Sequence, residues 1–169
     1  MTDAGDAELT FVGRAVVLGP GEGHPMRMAN IPDRMLLKAD GEDTGQYYSA
    51  FEYEAVPHSR GVPLHLHEGH EEGFYILEGA LEMQLDERVI TATPGSFVLV
   101  PRGFAHRFAN PSDRPCRFLA IFSPPGYEKI FDERTHLLET GADAEALRAL
   151  DRAHRSRPLG SPAEAPRHL

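Results

Sequence analysis

The stretch that decides the fold runs from residue 64 to residue 74 and reads Leu64-His65-Leu66-His67-Glu68-Gly69-His70-Glu71-Glu72-Gly73-Phe74. Successive side chains of a β-strand point to opposite faces, so His65 and His67 share one face and offer a metal ion two imidazole nitrogens. The residues between His67 and Glu72 can form a turn, which brings the Glu72 carboxylate back to the same ion from the next strand. The alternative interpretation is a half-exposed strand with solvated histidines.

A second stretch, residues 95–110, reads Gly95-Ser96-Phe97-Val98-Leu99-Val100-Pro101-Arg102-Gly103-Phe104-Ala105-His106-Arg107-Phe108-Ala109-Asn110. The pattern predicts a strand that ends at Pro101, a turn in which Gly103 can adopt a positive φ, and a new strand that begins near His106. A single inward histidine is more often a hydrogen-bonded core residue than a ligand. This stretch alone therefore leaves both interpretations open.

Around these stretches, residues 46–123 predict β-structure almost throughout, in short segments rich in Val, Ile, Phe and Tyr and closed by turn residues. Many short strands with turns every 8–12 residues or so indicate a sandwich or a barrel, and a barrel removes exposed sheet edges. The predicted strands are Tyr47–Val56, Leu64–His67, Gly73–Leu77, Ala80–Leu85, Arg88–Ala92, Phe97–Val100, Ala105–Ala109 and Cys116–Phe122, preceded by Phe11–Leu18 and Arg34–Lys38.

After Pro124 and Pro125 the hydrophobic period changes to that of helices. Tyr127 to Leu137 suits one helix that ends near Gly141, and Ala144–His154 suits a second, with Asp143 as its N-cap. We thus expect three parts: residues 1–45 as strands and loops packed on the barrel, residues 46–123 as the barrel, and residues 124–169 as a helical extension with a loose, Pro-containing tail.

Together the two stretches resemble the motifs of the cupin superfamily. The first motif is matched by His65, His67, Glu72 and Gly79. The second is matched by Gly95, Pro101, Gly103, His106 and Asn110. The resemblance implies an all-β fold, the cupin double-stranded β-helix or jelly-roll barrel, here with a C-terminal α-helical extension.

Two details of the motif match differ from the family pattern or leave a choice. The family's opening glycine falls on Ser59, with Gly61 nearby. Glu71 also satisfies the shorter of the two permitted spacings, and His70 is a competing ligand. We prefer Glu72 because the six residues that follow it then lead to Gly79, as the family pattern requires.

The resemblance implies one divalent metal ion per chain, bound by His65, His67, Glu72 and His106. Three neutral imidazoles and one carboxylate leave coordination positions open, which is typical of reactive rather than structural sites. Mixed nitrogen and oxygen ligands suit iron, manganese, nickel, cobalt or zinc, and the sequence does not choose among them.

The layout is similar to that of bacterial quercetin-dioxygenase-like monocupins, which implies a metal-dependent dioxygenase acting on an enolisable aromatic or polyketide-like molecule, with Glu72 also taking the substrate proton. The alternatives are a non-redox cyclase or isomerase that uses the metal as a Lewis acid, and a cupin that binds a small molecule without turnover. Strand parity places Phe74, Ile76 and Phe108 beside the ligands, where plain barrel core is the favoured interpretation and a substrate wall the alternative.

Composition excludes some partners. The net charge of −9 argues against nucleic acid, which needs a surplus of Lys and Arg on some face. No apolar run approaches the ~20 residues of a membrane-spanning helix, so no membrane partner is expected. The single cysteine, Cys116, cannot form an intramolecular disulfide, which fits a cytoplasmic location. The likeness to cupins also implies a homodimer, formed through the N-terminal strand or the C-terminal helices.

Overall fold

Eleven strands and two helices make up the computed structural model, which describes residues 13–28 and 31–160. The strands are β1 His24–Met26, β2 Arg34–Ala39, β3 Ser49–Ala55, β4 Ser59–His67, β5 Glu71–Glu78, β6 Leu81–Leu85, β7 Arg88–Ala92, β8 Phe97–Val100, β9 His106–Asn110, β10 Cys116–Ser123 and β11 Ser156–Pro158. The helices are α1 Lys129–Glu139 and α2 Ala144–Ala153. None of the described helices is long and apolar enough to cross a membrane.

Two antiparallel sheets face each other and enclose the core. One has the strand order β1-β2-β3-β10-β5-β8 and the other β11-β4-β9-β6-β7. Along β3 and β10, buried and half-buried residues alternate without interruption, as expected for strands with one face on a core. Aromatic side chains such as Phe51, Phe74 and Phe118 fill the space between the sheets. The all-β class and the C-terminal helices predicted from the sequence are confirmed.

Most predicted strands lie within two residues of the observed ones, but the one predicted at Phe11–Leu18 is wrong where the structure describes it. Residues 13–19 form no strand, and Val17 is 93% exposed. Phe11 and Val12 lie outside the described residues, as does most of the predicted loose tail. The apolar run has a high β-propensity, but a strand also needs a neighbouring edge. The free edge of β2 is taken by β1 instead.

The turn at the start of β4 explains why Ser59 can stand where the cupin pattern has glycine. Gly61 has a φ of +58°, and a Cβ atom there would lie 2.1 Å from the carbonyl oxygen of Phe108 on β9. Only glycine allows both this backbone conformation and this close approach. The Ser59 hydroxyl instead donates a 2.7 Å hydrogen bond to the buried Asp33. The glycine requirement is therefore met two residues later.

The C-terminal extension packs against the barrel rather than projecting from it. Asp143 caps α2 as predicted, since its side chain accepts a 2.9 Å hydrogen bond from the Ala146 backbone N–H. The chain then turns back and adds β11 to the free side of β4, where Ser156 lies opposite His67 and Pro158 opposite His65. This strand fixes the helices over the end of β4 that carries the two histidines.

Candidate metal centre

Four side chains from three strands meet at one end of the barrel. His65 and His67 end β4, Glu72 is near the start of β5, and His106 begins β9. One nitrogen or carboxylate oxygen from each of the four lies within 4.8 Å of the others. Because β4 and β9 are hydrogen-bonded neighbours with His65 opposite His106, the sheet register itself brings these rings together. The two sequence motifs therefore form a single His₃Glu cluster that is able to hold a metal ion.

The cluster is withdrawn from solvent. Exposed fractions are 2% for His67, 4% for Glu72 and 1% for His106, whereas His65 is half-buried. The ring centroid of His65 lies 4.3 Å from that of His106 and 4.6 Å from that of His67. Polar groups buried in this way need hydrogen-bond or ionic partners, or their desolvation is costly. The hydrogen-bond partners of each imidazole therefore determine which ring nitrogens are available to a metal ion.

Backbone carbonyls set the tautomer of two of the histidines. The Nδ1 atom of His65 lies 2.7 Å from the carbonyl oxygen of Pro63, and Nδ1 of His106 lies 3.1 Å from that of Phe104. A carbonyl only accepts hydrogen bonds, so in the neutral ring Nδ1 carries the proton and Nε2 keeps its lone pair. An Nδ1–H bond to a backbone carbonyl is a common way of orienting a metal-binding imidazole.

His67 lacks any such partner. Both of its ring nitrogens are buried, and within the described structure neither makes a hydrogen bond. Its Nε2 atom nevertheless lies 3.0 Å from Oε1 of Glu72. A buried imidazole whose nitrogens make no hydrogen bond is unusual in a folded protein, and a cation placed between Nε2 and the carboxylate would satisfy both groups. The donor set thus fits a divalent ion.

The protonation states match that interpretation. Burial, reinforced by the neighbouring His106 and His67, lowers the pKa of His65 well below its usual value, and burial likewise lowers the pKa of His67. Burial alone would raise the pKa of Glu72, but its contacts with His67, His106 and His70 outweigh burial and hold that pKa well below its usual range. Neutral imidazoles beside an ionised carboxylate are the forms that bind a metal.

Glu71 and His70, the two alternatives to Glu72 as a ligand, occupy different environments from it. Glu71 points away from the cluster and forms a 2.6 Å ion pair with the exposed Arg102. His70 is buried, and its Nε2 atom lies 3.1 Å from Oε1 of Glu72, but it is not one of the four clustered groups. Glu72 is therefore the acidic side chain that faces the histidines, and His70 is placed to hold its carboxylate in position.

Tyr127, from the segment just before α1, covers the buried side of the cluster. Its ring lies 4.3 Å from that of His67 and 4.4 Å from that of His70. The hydroxyl lies 3.4 Å from Oγ of Ser156 on β11, and burial raises the pKa of the phenol, which stays neutral. No sequence motif marks Tyr127 as a site residue, because the cupin motifs end before the helical extension begins.

Two cavities adjoin the cluster. The inner one, about 50 Å³, is lined by His65, His67 and Glu72 together with core residues that include Phe74 and Phe108. Ile76, the third residue predicted for a substrate wall, is fully buried in the core and does not line it. The outer cavity, about 390 Å³, lies between β4 and the C-terminal helices. We refer to these below as the inner cavity and the outer chamber.

Residues 51–122 match the family model of the cupin domain. The matched segment runs from β3 to β10 and contains all four clustered side chains. The two sheets and the C-terminal helices accordingly form a cupin double-stranded β-helix with a helical extension. Comparison with curated proteins finds no match.

Solved structures with the same fold carry several different chemistries. The polyketide cyclase RemF from Streptomyces resistomycificus is 24% identical, with a TM-score of 0.57 over 64% of this chain and 79% of that one. A predicted oxalate decarboxylase from Thermotoga maritima is 24% identical, with a TM-score of 0.59 over 64% and 98%. A sugar phosphate isomerase from Silicibacter pomeroyi is 21% identical, with a TM-score of 0.55 over 63% and 74%. At these identities the likeness extends to the fold alone.

Proposed function

We propose that the protein is a metal-dependent enzyme that acts on an enolisable aromatic or polyketide-like small molecule. The observation that carries the proposal is the buried His67 imidazole, whose nitrogens make no hydrogen bond to any described residue although Nε2 lies 3.0 Å from the ionised Glu72. His65, His67, Glu72 and His106 would be the protein ligands of one iron, manganese, nickel, cobalt or zinc ion. Such an ion, when bound, supplies a Lewis acid for a carbonyl or enolate oxygen and, where it is redox-active, electron transfer to dioxygen.

Glu72 is the residue we assign to proton transfer. Its low pKa keeps the carboxylate ionised, and an ionised carboxylate can accept the proton that an enolisable carbonyl or enol loses. Contacts of 3.1 Å from Oε1 to His70 and 3.2 Å from Oε2 to His106 fix the orientation of the carboxylate. The group is therefore positioned before any substrate arrives, which reduces the reorganisation that the reaction needs.

Among reaction classes we propose a dioxygenase first. The inner cavity is lined mainly by apolar and aromatic side chains, including Met35, Phe118 and Phe122, and directly adjoins the cluster. At about 50 Å³ it is too small for an organic substrate, but it can hold a diatomic apolar gas. A pocket of this kind would hold dioxygen beside the residues that would bind a redox-active metal.

The second candidate is a cyclase or isomerase that needs no oxidant. It is favoured by Glu72, because an ionised base beside a Lewis acid is sufficient to enolise a carbonyl and move its double bond. Both candidates use the same four ligands and the same base. They differ in whether dioxygen is consumed.

Turnover without dioxygen distinguishes the two. Protein loaded with iron(II) or manganese(II) is screened against flavonols and β-diketones in air, and the active substrate is then assayed anaerobically. We expect the anaerobic rate to fall by at least about tenfold, because the reaction consumes dioxygen as co-substrate. An oxygen electrode should show uptake that is stoichiometric with substrate loss. An unchanged anaerobic rate would rule out the dioxygenase and leave the cyclase or isomerase.

We further propose that the protein is a cytoplasmic homodimer. Of the two interfaces expected from the sequence, the C-terminal helices pack on each other and on β11, and the described part of the predicted Phe11–Leu18 strand, residues 13–18, is not a strand. An apolar patch is exposed elsewhere, on β5 and the edge strand β8. Its members Tyr75, Leu77, Phe97 and Leu99 are 41–60% exposed. A patch of this kind along an unpaired edge favours association with a second copy.

Light scattering coupled to gel filtration tests the dimer. The wild type should elute at twice the monomer mass, whereas Phe97→Asp combined with Leu99→Asp should be monomeric at micromolar concentration, because a charge would be buried in the interface. Val89→Asp is the matched control, since Val89 is 57% exposed but lies on β7 of the other sheet. A dimer that survives the double substitution would place the interface elsewhere.

A further inference from the structure

The outer chamber lies where β4 is uncovered. β11 pairs with β4 from His65 to His67, and the Leu159 N–H donates a 2.9 Å hydrogen bond to the Leu64 carbonyl oxygen. Among the described residues, no strand pairs with the earlier part of β4 on that side. Helix α1 closes the gap from above with Ile130 and Phe131, and the resulting space of about 390 Å³ is lined mostly by apolar side chains. A volume in this range suits a small organic ligand, which typically needs about 300–1,000 Å³.

The chamber and the inner cavity share one wall. Val62, His65, Tyr127 and Phe131 line both spaces, and His65 belongs to the metal cluster. An aromatic substrate is too large for the inner cavity, where about 50 Å³ is open. A substrate that reaches the cluster must therefore keep its main body in the outer chamber and approach past this wall.

One ion pair gives the chamber its polar end. Arg134 on α1 and Asp151 on α2 are bonded to each other and both line the space. Among the described residues that line the chamber, Arg134 is the one Lys or Arg, and Asp151 balances its charge. Because the Arg134–Asp151 pair carries no net charge, it cannot compensate a phosphate or a dicarboxylate for the water that these anions lose on binding. A guanidinium with five donors and a carboxylate with several lone pairs can, however, donate to and accept from a hydroxyl group at the same time.

From these features we propose that the outer chamber is the substrate-binding site, and that it selects flat, uncharged molecules with a hydroxyl group at the end remote from the metal. This rests on the proposed function, because the reactive end of the substrate is taken to reach the His₃Glu cluster. The apolar wall binds the body of the molecule, and the Arg134–Asp151 pair recognises the remote hydroxyl. The C-terminal helices, which lie outside the matched cupin segment, thereby determine specificity.

The first test places a larger side chain in the wall that the two cavities share. The probe is 3-hydroxyflavone, a flat fluorescent hydroxyketone, titrated anaerobically into zinc-loaded protein and followed by its own emission. Val62→Trp should weaken binding by about tenfold or more, since the indole occupies the space that the ligand needs. Val89→Trp introduces the same side chain at an exposed site on β7 and should change the affinity less than about twofold. Equal affinities in the two variants would overturn the proposal.

The second test concerns the polar end. In the wild type, the 4′-hydroxy derivative of the probe should bind about tenfold more tightly than the parent compound, because it reaches the ion pair. In Arg134→Leu combined with Asp151→Leu this preference should disappear, while binding of the parent compound is retained. If the preference persists in the double variant, or if the wild type binds neither compound, the outer chamber is not the substrate-binding site.

Metal content, measured on the same samples, separates this proposal from the proposed function. The chamber variants leave the four ligands intact and should hold as much zinc as the wild type. A wild type that holds no metal refutes the proposed function. In that case the difference in probe affinity between Val62→Trp and Val89→Trp still shows whether the probe binds in the outer chamber, because the apolar wall binds it without a metal.

Discussion

Replacement of His67 or His106 with Ala is expected to lower the metal content from about one ion per chain by about tenfold or more. Both imidazoles are almost fully buried, and each has a nitrogen within 3.2 Å of a Glu72 oxygen. Removing either leaves an ion with three of its four protein ligands. Elemental analysis of protein purified without chelators, together with competition against a chromophoric chelator, measures occupancy and affinity.

His58→Ala is the matched control for these two substitutions. His58 is also a histidine near β4, but it is 66% exposed and pairs with Asp113 at the surface. Its loss should leave the metal content unchanged, because exposed ion pairs contribute little and the cluster is untouched. Full occupancy in both His67→Ala and His106→Ala would refute the assignment of these residues as ligands.

The fold and the four clustered side chains could be predicted because their determinants are local in sequence. Strand alternation places His65 and His67 on one face whatever the rest of the chain does. The spacing to Glu72 is set by a single turn. His106 is 34 residues from Glu72 in sequence, yet their contact follows from the motif pair, which specifies the barrel register as well as the ligands.

The surroundings of the cluster could not be predicted in the same way. Tyr127 contacts His67 only because α1 packs over the barrel, and Arg134 meets Asp151 only because α2 folds back beside α1. Such contacts depend on tertiary packing that no spacing rule encodes. β11 illustrates the same point: Ser156–Pro158 has weak strand propensity and becomes a strand because β4 offers it a free edge. Ile76 shows a further limit: strand parity placed it inward, as observed, but it is buried in the core and does not line the inner cavity.

Glu72→Gln should reduce turnover by a factor of about 10²–10⁴ and weaken metal binding about tenfold or more. The amide is nearly isosteric, so the barrel should keep its shape, but it is neutral and cannot accept the substrate proton. It also presents an N–H group to imidazole nitrogens where the carboxylate presented only oxygens. Chelator competition measures the metal affinity before any substrate is known, and turnover of the substrate found in the screen measures the loss of the base.

Glu71→Gln makes the same chemical change one residue earlier and therefore tests the register of the motif. Glu71 is 38% exposed at its side chain and pairs with Arg102, away from the cluster. Its substitution should change metal affinity and turnover less than about twofold, because an exposed ion pair contributes about 0–1 kcal/mol. If Glu71→Gln proved the damaging change and Glu72→Gln were tolerated, the ligand would be Glu71. The turn between β4 and β5 would then have to adopt a different conformation, in which the Glu71 side chain faces the histidines.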